Sequence, residues 1–378
     1  MLSHLLQEPR NHSVTISKAI ANILMVMGHS GIPQWANHFI SMMHMPLFFF
    51  MSGYCFKKAY LFDAKKWLQK RFLGVYWPYV KYGMVFVLLH NIFLYYHIYS
   101  ETFVFNGKPI HYYSLQETIF RLVYVITMHG TERLLGGFWF LKALFWGSII
   151  FYVIRKLFKN PFAGALLLLL LCFVTSFFHL SIPYLKIGSL DLFAAFFIMT
   201  GHIFRRTTIG SQNLAENLIS KWWLMIVFFI IVGIGSVYWP TSMLHYQWYH
   251  IFPYTITAIM GILLIFSIGN WIYHLKPYTN SKYKNIILNK TRKFLIFTGS
   301  HTLSILAWHF LSFKIVNLML ISIYNLNIDR LGDFPVMTDY AHQGWWIIYL
   351  IVGVTLPISG TYLYHSFVLN KITPGKLT

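Results

Sequence analysis

Charge is what this chain has least of. Only 11% of its 378 residues are Asp, Glu, Lys or Arg, and ten of them are acidic. Soluble domains carry about 25% charged residues, so the deficit excludes an ordinary soluble globular class. Cysteine is nearly absent too. Cys55 and Cys172 show no metal or redox spacing, which excludes a thiolate metal centre and leaves both expected as inert packing residues in apolar surroundings. No internal repeat is visible. The first apolar segment lacks a small-residue cleavage site, so it is expected to stay in the fold rather than act as a signal peptide.

Apolar matter takes the place of charge: 57% of the residues are hydrophobic. It falls into ten blocks, roughly 16–32, 39–56, 76–97, 137–154, 161–179, 188–204, 221–239, 251–273, 296–322 and 345–368. Each approaches the roughly 17–25 residues that cross ~30 Å of hydrocarbon. The expected fold is an all-α integral membrane protein of about ten transmembrane helices, a single domain over 1–378. Pro78 is expected to kink or start the third crossing.

The net charge of +20 would suit nucleic acid, but its distribution does not. Cations gather in alternate loops: Lys57 to Arg71, Arg155 to Lys159, Arg205 to Lys221, and Lys276 to Lys293. The intervening loops hold Glu101, Glu117, Glu132, Asp329, Asp333 and Asp339. Cation-rich loops stay cytoplasmic, which places both termini there and makes nucleic acid an unsuitable partner. Membrane lipid headgroups remain a suitable one. The stretch 98–136 is then external. Within it, Ile119, Leu122, Val123 and Ile126 recur at helical spacing and predict an amphipathic helix that lies on the membrane surface or caps an external cavity.

Ionisable groups inside a bilayer are costly and so become functional candidates. Lys18 and His29 are eleven residues apart, a rotation within about 20° of three full turns and a rise of about 16 Å. They share one face with Asn22 between them. His44 begins the second crossing near the level of His29. Trp139 and Lys142 share a face of the fourth crossing, and His301, Ser304 and Trp308 share one of the ninth, with His309 further out. Asp191, the one acid within a predicted span, is expected near the outer surface and solvated.

These residues are similar to those of the acyltransferase 3 family of membrane acyltransferases, in particular the fucose 4-O-acetylase-like branch. The resemblance rests on a basic residue, ten intervening residues and a histidine in the first helix, here Lys18 and His29. It extends through His44–Tyr54 (HMPLFFFMSGY), Lys70–Tyr79 (KRFLGVYWPY), Phe138–Phe145 (FWFLKALF) and Gly299–His309 (GSHTLSILAWH). Lys18 stands where the wider family commonly has Arg, which removes a bidentate guanidinium.

The resemblance implies transfer of an acyl group, usually acetyl, from cytoplasmic acyl-CoA to a hydroxyl of a glycan. The acceptor would be a surface polysaccharide or its lipid-linked precursor, the location the cell membrane, and no metal is implied. On that reading Lys18, Lys70 and Arg71 hold the phosphates of acetyl-CoA. His29 and His44 are the catalytic candidates, with His29 as general base and His44 or Asp191 orienting it; an acyl-histidine route is equally compatible. Lys142, Ser300 and His301 are candidate oxyanion donors, and Trp139 and Trp35 could stack on sugar rings. The scheme requires a polar passage from Lys18 to His29. A proton-coupled transporter would also carry intramembrane His, Lys and Asp, but paired repeats with broken helices are missing. A polysaccharide polymerase or flippase would bring long Arg-rich external loops, and the external face has few cations.

Overall fold

The computed structural model describes residues 11–101, 104–105, 108–210, 220–275, 282–364 and 366–367. Both chain ends, on which the expected orientation bears, and Lys276 lie outside the described residues. Among the described residues the regular structure is helical apart from the antiparallel pair Val104–Phe105 with Lys108–Pro109 and an isolated bridge between Ile182 and Ile187. Its main helices are α1 (His12–His29), α2 (Gln34–Ser41), α3 (His44–Tyr54), α4 (Ala64–Arg71), α5 (Trp77–Tyr95), α6 (Leu115–Ile126) and α7 (Trp139–Leu157). They continue with α8 (Pro161–Phe177), α9 (Ser189–Gly210), α10 (Trp222–Tyr238), α11 (Ile251–His274), α12 (Lys282–Ser300), α13 (Thr302–Tyr324) and α14 (Trp346–Tyr364). Among the described residues each of the ten apolar blocks is mainly helical. Five helical runs among them are long and apolar enough to cross a membrane: Ala64–Tyr95, Arg133–Leu157, Trp248–His274, Thr302–Tyr324 and Thr338–Tyr364.

α1 is the hub, packed against α3, α11, α12, α13 and α14. Small residues let it sit there. Ser13 and Ser17 meet Gly269 of α11, and Thr15 meets Gly299 of α12. Such small-residue contacts allow helix backbones to approach where no hydrophobic force drives them together. Asn11 starts the helix by accepting the Val14 N–H at 3.3 Å. His29 closes α1, and Lys18 lies within the same helix about 16 Å of helix rise away, so the bundle has a Lys18 end and a His29 end.

Three elements differ from the expectation. The second block is two helices with a break at Met42–Met43. Pro46 explains it, because the missing N–H leaves the Met42 carbonyl without a helical donor. The ninth block breaks at His301, whose backbone is non-helical (φ −119°, ψ 34°). There Ser300 Oγ donates to the Ile296 carbonyl at 2.8 Å and His301 Nδ1 donates to Phe297 O at 2.8 Å. Side chains that take the carbonyls of the last turn compete with continuation of the helix. The cation-rich stretches before α5 and α13 are themselves helices, α4 and α12. Pro78 lies near the start of α5, directly after a π-helical turn at Phe72–Tyr76 within the continuous run Ala64–Tyr95, where its missing N–H coincides with that irregular turn.

At the His29 end the bundle is roofed by the segments before α7 and α14. Gly31, at φ +82°, turns the chain out of α1 with its Cα against Ala341 and Val336. Buried Lys314 of α13 donates to the carbonyls of Leu331 (2.9 Å) and Asp333 (2.7 Å), which ties that roof to the bundle. α6 forms over Leu115–Ile126, with Val125 buried and Leu115, Ile119, Phe120 and Val123 exposed.

Candidate active site

At the Lys18 end a cavity of about 280 Å³ opens among α1, α3, α4, α7 and α13. Lys18, Asn22 and Met25 supply one wall, Ser52 and Cys55 another, and Arg71, Thr302, Leu306 and Phe140 the rest. Asn22 Nδ2 donates to the Thr302 carbonyl at 3.5 Å, joining α1 to the start of α13. Two cations and no carboxylate line the cavity among the described residues, so its field favours an anionic guest. Lys70 does not line it. It is exposed and donates to Tyr60 Oη at 2.8 Å. Cys55 departs from the expected inert role, because it is exposed and lines this cavity; Cys172 is buried.

At the other end three imidazoles gather. His29 closes α1 and His44 opens α3, near enough to interact electrostatically, and His309 of α13 joins them. The His29 and His309 rings are stacked, centroids 5.5 Å apart with planes at 28°, and His29 also meets Phe310 at 4.9 Å. His44 Nδ1 lies 2.8 Å from the Ile40 carbonyl. His309 Nδ1 lies 3.0 Å from Ile305 O and 3.1 Å from Leu306 O. Carbonyls only accept, so Nδ1 carries the proton in both rings. In the neutral rings Nε2 then bears the lone pair, and His309 Nε2 is buried without a partner among the described residues. His29 has no hydrogen bond to any described residue and is half-buried.

The structure separates other candidates. The cavity lining reaches Met25 of α1 and Leu306 of α13, one turn short of His29 and His309, and Met45 of α3, the neighbour of His44. Ser300 and His301 sit at the start of α13 beside Thr302, about 12 Å of helix rise from His309. That is the Lys18 level, away from the imidazoles. Trp139 and Lys142 occupy the opposite face of α7, in a second cavity that also contains Asp191. Asp191 is not solvated as expected: it is 3% exposed and accepts the Gly188 N–H at 2.9 Å. Trp35 is 74% exposed, Ser304 bonds Thr361 of α14 at 2.6 Å, and Trp308 packs on Tyr82 and Phe86. His309 is the residue that sequence reasoning left aside, although its three-residue offset from Leu306 carries it to the next turn of the cavity-facing side of α13.

Among the described residues no group of His, Cys, Asp and Glu could hold a metal ion. No curated protein and no solved structure matches the chain. A family model, the acyltransferase domain of the acyltransferase 3 family, matches residues 11–365, nearly the whole length, with α1 and its Lys18 and His29 inside the match, and the chain belongs to that family of membrane acyltransferases.

Proposed function

We propose that this protein is an O-acyltransferase of the cell membrane that moves an acetyl group from cytoplasmic acetyl-CoA to a sugar hydroxyl of a surface polysaccharide or its lipid-linked precursor. The reading includes ten crossings, both termini in the cytoplasm and α6 on the outer surface. The observation that carries it is the arrangement along α1: a cation-lined, acid-free cavity around Lys18 and Arg71, and an imidazole cluster about 16 Å of helix rise away at His29. Lys18 and Arg71 pair with the phosphates of the donor, and Lys70 adds positive charge at the rim. The thioester arm reaches His29 past Met25, Leu306 and Met45, and side chains such as Met adapt to passage more easily than branched ones.

Among the described residues His29 has no competing hydrogen-bond partner, and it serves as general base. It takes the proton of the sugar hydroxyl as that oxygen attacks the thioester carbonyl. The C–S bond breaks, and the departing thiolate of CoA recovers the proton. His44 and His309, each with Nδ1 committed to a carbonyl, present Nε2 lone pairs that orient the acceptor hydroxyl. The test is proton NMR of the surface glycan from cells with and without the gene. Loss of O-acetyl signals on deletion, unrestored by a well-expressed His29→Ala protein, is the expected result; unchanged acetyl content on deletion overturns the acetylation reading.

A further inference from the structure

A second cavity, of about 460 Å³, lies on the far face of α7, closed by α8, α9 and the segment before α11. Its size falls within the roughly 300–1,000 Å³ of small-molecule sites. α7 is the partition between the two cavities: Phe140, Leu141 and Leu144 face the first, Trp139, Lys142 and Ala143 the second. The second is built differently. Its wall combines Trp139, Lys142, Lys186, Asp191, His179 and Gln247.

Two features point to a guest. The Asp191 carboxylate is 3% exposed, yet among the described residues it has no ion-pair partner, and neither has Lys142, although both face the same space. Lys142 Nζ donates to the Lys186 carbonyl at 2.9 Å, and Lys186 Nζ to Tyr124 Oη at 3.0 Å. A buried carboxylate accepts hydroxyl protons, and an ammonium has two further donors to offer. The charge balance is also uneven, with two lysines against one aspartate. Trp139 adds a flat apolar face, and opens α7 just after Gly136, which lies against Phe310, the ring in contact with His29.

A pyranose has matching parts: a face of C–H bonds for an indole and a rim of hydroxyls for a carboxylate. A carboxylate on the ring would balance the second lysine. We propose that this cavity binds an acidic saccharide, a pyranose carrying a carboxylate, with its hydroxyls on Asp191, its acid group on Lys142 and Lys186, and its ring face on Trp139. Its use as a subsite that holds the acceptor rests on the glycan-acceptor reading above; binding itself does not need an acyl donor.

The test is saturation-transfer NMR on the purified protein in detergent, without acyl donor, using methyl β-D-glucuronide and methyl β-D-glucoside as probes. The glucuronide is expected to bind at least tenfold more tightly than the glucoside. Lys142→Met is expected to remove that preference, Lys142→Arg to restore it, and Trp139→Ala to weaken both probes. Protection of Cys55 by CoA reports on the first cavity separately, so it confirms that each variant is folded and distinguishes failure here from failure of the acyltransferase reading. Equal binding of the two probes, or an undiminished preference in Lys142→Met, overturns the proposal. So does displacement of the glucuronide by phosphatidylglycerol vesicles, which would mark a lipid-headgroup site.

Discussion

His309 lies stacked on His29 at 5.5 Å, with its Nε2 buried and unpartnered among the described residues while Nδ1 is committed to the Ile305 and Leu306 carbonyls. An orphaned buried acceptor costs roughly 1–3 kcal/mol, a cost that a bound hydroxyl would offset. His309→Asn keeps a side-chain N–H near those carbonyls and deletes Nε2. We expect this variant to melt within a few degrees of the parent yet release CoA from acetyl-CoA, in the presence of acceptor, on the order of a hundredfold more slowly. His29→Ala is expected to lose about 10²–10⁴-fold, the range of general-base catalysis. A His309→Asn protein with parental turnover would reduce His309 to packing.

Cys55 provides a direct readout of the cation-lined cavity proposed to hold the donor. It is exposed and shares the cavity lining with Lys18 and Arg71, whereas Cys172 is buried. The purified protein is therefore expected to take up one equivalent of a maleimide quickly. CoA should slow that labelling by tenfold or more, and its dephospho form by less. Lys18→Gln and Arg71→Gln should each weaken the protection, and Lys18→Arg should preserve it. Labelling at the same rate with and without saturating CoA would place the donor elsewhere.

Helical periodicity carried the reading of α1 a long way, because a rotation near three full turns leaves little freedom in where Lys18 and His29 point. It served less well wherever depth depended on which way a helix faces. Lys142 shares a helix with Phe140 and Leu141, and a rotation of about 100° per residue is enough to put it in a different cavity. Ser300 and His301 read as part of one crossing because the competition of their side chains for the Ile296 and Phe297 carbonyls has no signature in hydropathy. The meeting of His309 with His29 joins residues 280 positions apart, as α13 packs on α1, and no local pattern encodes such a contact.

Glu117 couples α6 to pH. Its carboxylate accepts from His111 Nε2 at 2.9 Å and from Arg121 Nη2 at 3.1 Å. Partial burial pushes the carboxyl up, but the hydrogen bonds from His111 and Arg121 outweigh it and hold Glu117 below the ordinary carboxylate range. A depressed folded value contributes stability that is present above the unfolded value of about 4.3 and lost as pH falls through the folded one. Acidification below about pH 4 should therefore loosen α6. Pairs of this kind contribute about 0.3–0.5 kcal/mol, so the fitting measurement is hydrogen exchange over residues 115–126 rather than global melting. Glu117→Gln should exchange faster at pH 6 and lose most of the acid response; an identical pH profile in the two proteins would remove the linkage.

α3 carries His44 at one end and Ser52 of the cation-lined cavity near the other, with Cys55 just beyond, and its position is set by a backbone-to-backbone crossing with α9. A Cβ on Gly53 would overlap the Ile198 carbonyl, and a Cβ on Gly201 would overlap the Phe50 carbonyl. Both obstacles are main chain, so neither can rotate away. Gly53→Ala and Gly201→Ala must push the helices apart, at a cost of about 1–3 kcal/mol for overpacking. Gly233 of α10, with nothing within 4 Å of an added Cβ, is the matched control, and Gly233→Ala should leave stability unchanged or improve it. Melting in detergent should order the proteins accordingly. Displacing α3 also moves Cys55 relative to Arg71, so Gly53→Ala should weaken CoA protection of Cys55 even where the protein remains folded. A Gly53→Ala protein with parental melting and parental protection would mean that α3 and α9 do not cross this closely.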